Sequence, residues 1–190
     1  MDLLKMIFDQ VDESNALGKL GSEVGAEPSQ VENLMKMGIP ILMQKMGQNA
    51  STSEGRSTLE RVLEQHQDDD TGDFNDFLQR VDVNEGDKIL SHVFSSNNSK
   101  VSQGLAQKSG MDSGQVMGIM SRLAPFVLGM LGQQKKQNVD TGQIAGLLGN
   151  AFEQGKSDGL LDMAADFLDF DNDGSIMDDA GKLLSGFLKK

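Results

Sequence analysis

Apolar residues in Gln115–Gly132 fall at three- and four-residue steps: Val116, Ile119, Met120, Leu123, Val127, Met130 and Leu131. That is the spacing of one face of an α-helix. The same pattern lies 85 residues earlier, in Gln30–Gly47, without a gap. Gln30/Gln115, Val31/Val116, Met35/Met120, Pro40/Pro125 and Gly47/Gly132 are identical pairs. The register holds upstream at Leu20/Leu105 and Gly25/Gly110, and downstream at Leu59/Ile144, Val62/Leu147 and Leu63/Leu148. A fixed offset over so long a stretch points to a duplicated unit. Both copies carry start signals. Asp112 with Gln115 is a capping-box pattern, and Glu27 with Gln30 repeats it, with Pro28 at the first helical position. Pro40 and Pro125 lack an N–H and crowd the carbonyls of Lys36 and Ser121, so a kink or a break is expected at each.

The remaining elements follow from the same periodicity. Asp2–Asp12 reads as a short amphipathic helix, and Ala16–Val24 as a second that stops at Gly25. Ser57–Gln65 closes the first copy after a polar loop, Ser51–Gly55. His66–Asp73, with three adjacent aspartates, reads as a flexible connector. Phe74, Phe77 and Leu78 offer one or two helical turns that can dock on the body. Gly86–Phe94, Asn97–Ser109 and Asp140–Gln154 complete the second copy, with QQKKQN as the loop before the last. The fold class is all-α: two tandem homologous helical units with kinked central helices, plus a C-terminal helix–loop–helix. The boundaries are 1–66 and 86–156 for the units, 67–85 for the acidic connector with its short helix, and 157–190 for the tail.

Composition narrows the chemistry. With no cysteine there is no disulfide, thiolate metal site or cysteine nucleophile. Net charge of −12 repels nucleic-acid phosphates and anionic membranes. LAQKSGMDSGQVMGIMSRL has helix-turn-helix spacing, but its second helix presents Val, Met, Ile and Leu, with Arg122 alone basic. Nucleic-acid binding is therefore not expected. The N-terminus lacks the pattern of a secretory signal, and the longest apolar runs fall short of the roughly 20 residues a span needs. A soluble, cytoplasmic protein is expected. His66 and His92 have no evident companions, and no nucleophile–base spacing or phosphate loop is present, so an enzyme is not expected.

One stretch is chemically specific. Asp169, Asp171, Asp173 and Gly174 form D-x-D-x-D-G between two apolar, helix-periodic segments, Gly159–Leu168 and Met177–Leu188. Alternate residues of a tight loop turn three carboxylates to one point, and glycine permits the bend. Ser175 would add a backbone carbonyl. A standard EF-hand closes with Glu at its twelfth position, which here is Ala180. Asp178 or Asp179 would close the shell instead, with Asp178 preferred in a shortened loop. Hard oxygen ligands in this number favour Ca²⁺ in a structural role.

The order of these features resembles the YidB-like family of bacterial proteins, a domain of unknown function. The carriers are the short helix ending in Gly, Gln-Val with a mid-helix Pro, GQIAGLLG at Gly142–Gly149, and D-x-D-x-D-G-S…D-D at Asp169–Asp179. The resemblance implies a bacterial, all-helical protein and brings no catalytic residues. Copy one departs at Gly38 and Lys45, where copy two has Leu123 and Met130, leaving its buried face thinner.

The function expected is non-enzymatic: a calcium-stabilised protein acting by protein interaction or self-association. The alternative is an apolar-ligand module with a pocket between the two central helices, lined by Met37, Ile41, Phe126 and Met130. The metal loop gives a direct test. Ca²⁺ should raise the melting temperature over chelator, and Asp171→Ala with Asp173→Ala should abolish the increase. Identical melting curves with calcium and chelator in the parent chain would remove the site.

Overall fold

A computed structural model describes residues 3–13 and 16–155. In chain order the helices are α1 (Leu3–Glu13), α2 (Ala16–Val24), α3 (Pro28–Asn49), α4 (Ser53–His66) and α5 (Phe74–Arg80). After these come α6 (Val83–Phe94), a 3₁₀ turn (Ser95–Asn97), α7 (Asn98–Ser109), α8 (Ser113–Lys136) and α9 (Thr141–Gly155). Polar residues set the starts. Thr52 Oγ1 accepts from the Gly55 amide at 3.0 Å, Asp73 from Asp76 at 2.9 Å and Asp82 from Asn84 at 2.9 Å. Each side chain satisfies an amide that the helix cannot.

The two long helices, α3 and α8, form the centre. α4 lies along α8, and α9 lies along α3. α6 also packs extensively on α8, and α7 contacts both long helices. Val31, Leu34, Leu42, Val116, Ile119, Leu123 and Val127 are fully buried in one continuous apolar core. The described helices therefore share one core.

The ends of these helices are tied by a reciprocal bond. Gln30 Oε1 accepts from the Glu27 amide at 2.9 Å, and Gln115 Oε1 accepts from the Asp112 amide at 2.9 Å. The other end of each amide crosses to the helix end that precedes the other long helix. Gln115 Nε2 donates to the Gly25 carbonyl at 2.8 Å, and Gln30 Nε2 donates to the Gly110 carbonyl. Gly25 and Gly110 both sit at φ +72°, the left-handed conformation that ends α2 and α7. One side chain thus serves a helix start and a helix end.

Several expectations change. No break occurs at the prolines: α3 and α8 run through Pro40 and Pro125. The carbonyl that Pro125 leaves free, at Ser121, is instead where α6 comes closest. A Cβ on Gly86 would lie 1.6 Å from that oxygen, so only glycine fits. α4 begins at Ser53 rather than Ser57, and α8 extends to Lys136 through most of the expected loop. α8 is long and apolar enough to cross a membrane by length and composition, but 72% of its apolar window is buried inside the protein, which accounts for its character.

The acidic segment is not a loose connector. Each aspartate meets a partner: Asp68 meets Lys136 at 2.6 Å, Asp70 meets Arg80 at 3.5 Å, and Asp69 Oδ2 lies 2.7 Å from His66 Nδ1. Thr71 is buried, and Gln133 Nε2 donates to Thr71 Oγ1 and to the Asp69 carbonyl, both at 2.9 Å. Gln10 Nε2 of α1 donates to the Thr71 and Gly72 carbonyls. Nor is copy one's face thin. Met120 fills the space at Gly38, where an added Cβ would lie 2.6 Å from its sulfur. Lys45 is buried, and its Nζ donates to Gln48 Oε1 at 2.9 Å.

Two outcomes follow from this packing. Gln30→Glu and Gln115→Glu keep the acceptor for the helix start and lose the crossing donor. Each should cost about 1 kcal/mol in urea unfolding, while Gln143→Glu, whose Oε1 accepts from the Asp140 amide in the same way, should be near neutral. Equal losses at all three positions would deny the crossing bond its role. Burial holds the Lys45 pKa below the ordinary 10.5. Between its folded pKa and 10.5 the unfolded chain binds more protons, so stability rises with pH across that window. Lys45→Met should raise the melting temperature at pH 7 and flatten that rise; a lower melting temperature would show that the lysine head, not the buried stem, holds the site.

Candidate functional site

α4 and α6 both lie on α8 and leave a cleft of about 280 Å³ between them. From α4 come Gly55, Thr58, Leu59, Val62, Gln65 and His66. From α6 come Glu85, Lys88, Ile89, His92 and Val93. Both sets step by three and four, so each helix presents one stripe to the gap. Met46 and Asn49 of α3 and Leu128 of α8 complete the lining, which is mostly apolar. Asn49 Nδ2 donates to the Val93 carbonyl at 3.1 Å and ties the end of α3 to α6. Val62 and Ile89 are only partly buried. Apolar side chains at helix-packing spacing therefore stand exposed to the cleft.

His66 closes one end. Its side chain is 7% exposed, with Nδ1 2.7 Å from Asp69 Oδ2 and Nε2 3.9 Å from Glu85 Oε1. The imidazole thus joins α4, the acidic segment and the first turn of α6. Lys135 supports the other side of α4: its Nζ is 3.0 Å from both Glu60 and Glu64. Burial pulls the Lys135 pKa down, but the bonds to Glu64 and Glu60 outweigh it and hold it above the ordinary value. α4 is therefore clamped from both sides while its cleft-facing stripe stays open.

The pocket expected between the central helices is not where the cleft lies. Met37, Ile41, Phe126 and Met130 are buried in the core. Phe74 and Phe77 of α5 occupy the surroundings of Phe126 with their rings edge-on, centroids 4.5 and 5.2 Å away. Such pairs add about 0.5–1.5 kcal/mol each beyond area burial, so that space is closed. The sequence did not reveal that His66 and His92 line one cleft. His66 and Asp69 are a helical turn apart, which was the available sign; Glu85 and His92 reach the same place only through the packing of α6. Asp169, Asp171, Asp173, Ser175, Asp178 and Asp179 lie outside the described residues. Among the described residues, no group of three or more His, Asp or Glu side chains is placed to hold a metal ion.

Among the described residues these features define an all-helical domain with a partly apolar surface cleft set between two helices. The family described as "Bacterial protein of unknown function (DUF937)" matches residues 5–134, and the chain belongs to that family. The match runs from α1 into the last turn of α8 and includes both sides of the cleft. No curated protein and no solved structure matches the chain.

Proposed function

We propose that this DUF937-family protein is a non-enzymatic binding protein whose working surface is the cleft between α4 and α6. The helical spacing of the residues on its two walls carries this reading. Walls built from Leu59, Val62, Ile89 and Val93 at three- and four-residue steps suit a third helix, or an apolar chain of similar width, laid between them. Gly55 to His66 line nearly the whole of α4, a run of about 16 Å at 1.5 Å per residue, which suits an elongated occupant better than a compact one. Binding is favoured over catalysis because the buried His66 imidazole is already held through Nδ1 by Asp69. The order of motifs supports a YidB-like place within the family. The 85-residue register, the matching glycine caps and the reciprocal glutamines support descent from one duplicated unit. A Ca²⁺ ion on Asp169, Asp171, Asp173, Ser175, Asp178 and Asp179 would add stability in the tail without taking part in binding.

A neutral apolar probe such as N-phenyl-1-naphthylamine tests the cleft. Titration should shift the backbone amides of Thr58, Val62, Ile89 and Val93 saturably, and Ile89→Glu should weaken binding ten-fold or more, about 1.4 kcal/mol. Shifts confined to other surfaces, or no saturable binding, would end this reading.

A further inference from the structure

The cleft between α4 and α6 is apolar at its base and polar along its rim. Leu59 and Val93 are buried in it, and Val62 and Ile89 are partly buried beside them. Lys88 and His92 line it as well, one turn apart on α6, and both are exposed. We propose that the cleft takes a free, single-chain amphiphile of the alkyl carboxylate class, with its chain along the apolar base and its anionic head at Lys88 and His92. This rests on the cleft being the binding surface and names the class of ligand.

Charge decides the head. Among the described residues Glu85 is the one carboxylate in the lining. Its Oε1 lies 3.9 Å from His66 Nε2, at the end of the cleft that His66 closes. Lys88 and His92 follow one and two turns further along α6. Among the described residues neither side chain takes part in an ion pair. Lysine brings a full positive charge, and an imidazole offers an N–H donor in either protonation state. Thr58 and Gln65 on the α4 wall add neutral polar groups and no second carboxylate. The chain as a whole carries −12, but at physiological salt charges beyond about 8 Å are largely screened, so the lining sets the preferred sign. The same net charge opposes an anionic membrane surface, which makes a free molecule the source.

Size decides the tail. The cleft holds about 280 Å³ and follows α4 for about 16 Å. A helix of that length, about 10–12 Å across, occupies on the order of 1,000 Å³ and would enter by one edge only. A single alkyl chain lies within the space and meets apolar side chains along its length.

Displacement of N-phenyl-1-naphthylamine from the full-length chain tests this with three probes that share one tail, each below its micelle concentration: dodecanoate, dodecan-1-ol and dodecyltrimethylammonium. Dodecanoate should act at about five-fold lower concentration than dodecyltrimethylammonium, the upper scale of an exposed ion pair, and should shift the Thr58 and Ile89 amides. Lys88→Glu should reverse that order. Lys100→Glu, exposed on α7 and outside the lining, changes the net charge equally and should leave the order as it is. No preference for dodecanoate in the parent chain overturns the anionic head, and so does a preference that moves equally in the two variants. If dodecan-1-ol still displaces the probe in that case, the cleft reading stands without the carboxylate. If the naphthylamine itself shows no saturable binding, both fall.

Discussion

The structure depends on two glutamines used twice. A helix start leaves amides without partners and a helix end leaves carbonyls without partners. Gln30 and Gln115 each answer one of both: the side-chain oxygen takes the amide of its own helix start, and the side-chain nitrogen reaches the glycine carbonyl that ends α2 or α7 across the interface. The exchange fixes α3 and α8 relative to one another at their N-terminal ends. It also makes the two glycines necessary, because only a left-handed residue turns its carbonyl out in that direction without strain. With those ends fixed, α4 falls on α8 and α9 on α3, and the core becomes common to both halves.

The cleft is a by-product of how crowded α8 is. α4, α6 and α7 all pack on it, and their approach is set by backbone rather than by side chains. Gly86 brings α6 onto the Ser121 carbonyl that Pro125 has freed. Gly132 brings α8 equally close to the end of α4: a Cβ there would lie 2.8 Å from backbone atoms of Leu63, His66 and Gln67. Both helices are seated deeply on α8, and along the cleft they do not close on each other. His66 bridges them at one end, through Asp69 and Glu85, and Asn49 holds the other through Val93. Between these ties the apolar stripes remain apart.

Local signals were legible in the sequence and long-range ones were not. The capping pairs at Glu27/Gln30 and Asp112/Gln115 and the glycine stops could be read because each depends on residues within a turn or two. The acidic segment misled because charge alone argues for solvation. Its aspartates find Lys136, His66 and Arg80 from three different positions, and its backbone is taken up by Gln133 and Gln10. Those partners are distant in sequence. The pocket was misplaced for a related reason. Symmetry put it between the central helices, but Phe74 and Phe77 come from outside the repeat and fill the space beside Phe126. The Asp169–Asp179 loop remains a sequence-level reading, since it lies beyond residue 155.

Departures from symmetry say where function should be sought. By helix order, α9 corresponds to α4 and α1 to α6. α1 packs against α9, whereas α4 and α6 face each other across open space. α1 is also held by Gln10 at the acidic segment instead of lying along α3 as α6 lies along α8. One pair of helices is therefore closed and the other is open. Val62 and Ile89 on the open side pack against the core but are only partly buried, so they gain only part of the about 1.5–3 kcal/mol that full burial of such side chains gives. On the proposed binding reading, an apolar occupant completes the burial that Val62 and Ile89 have only in part.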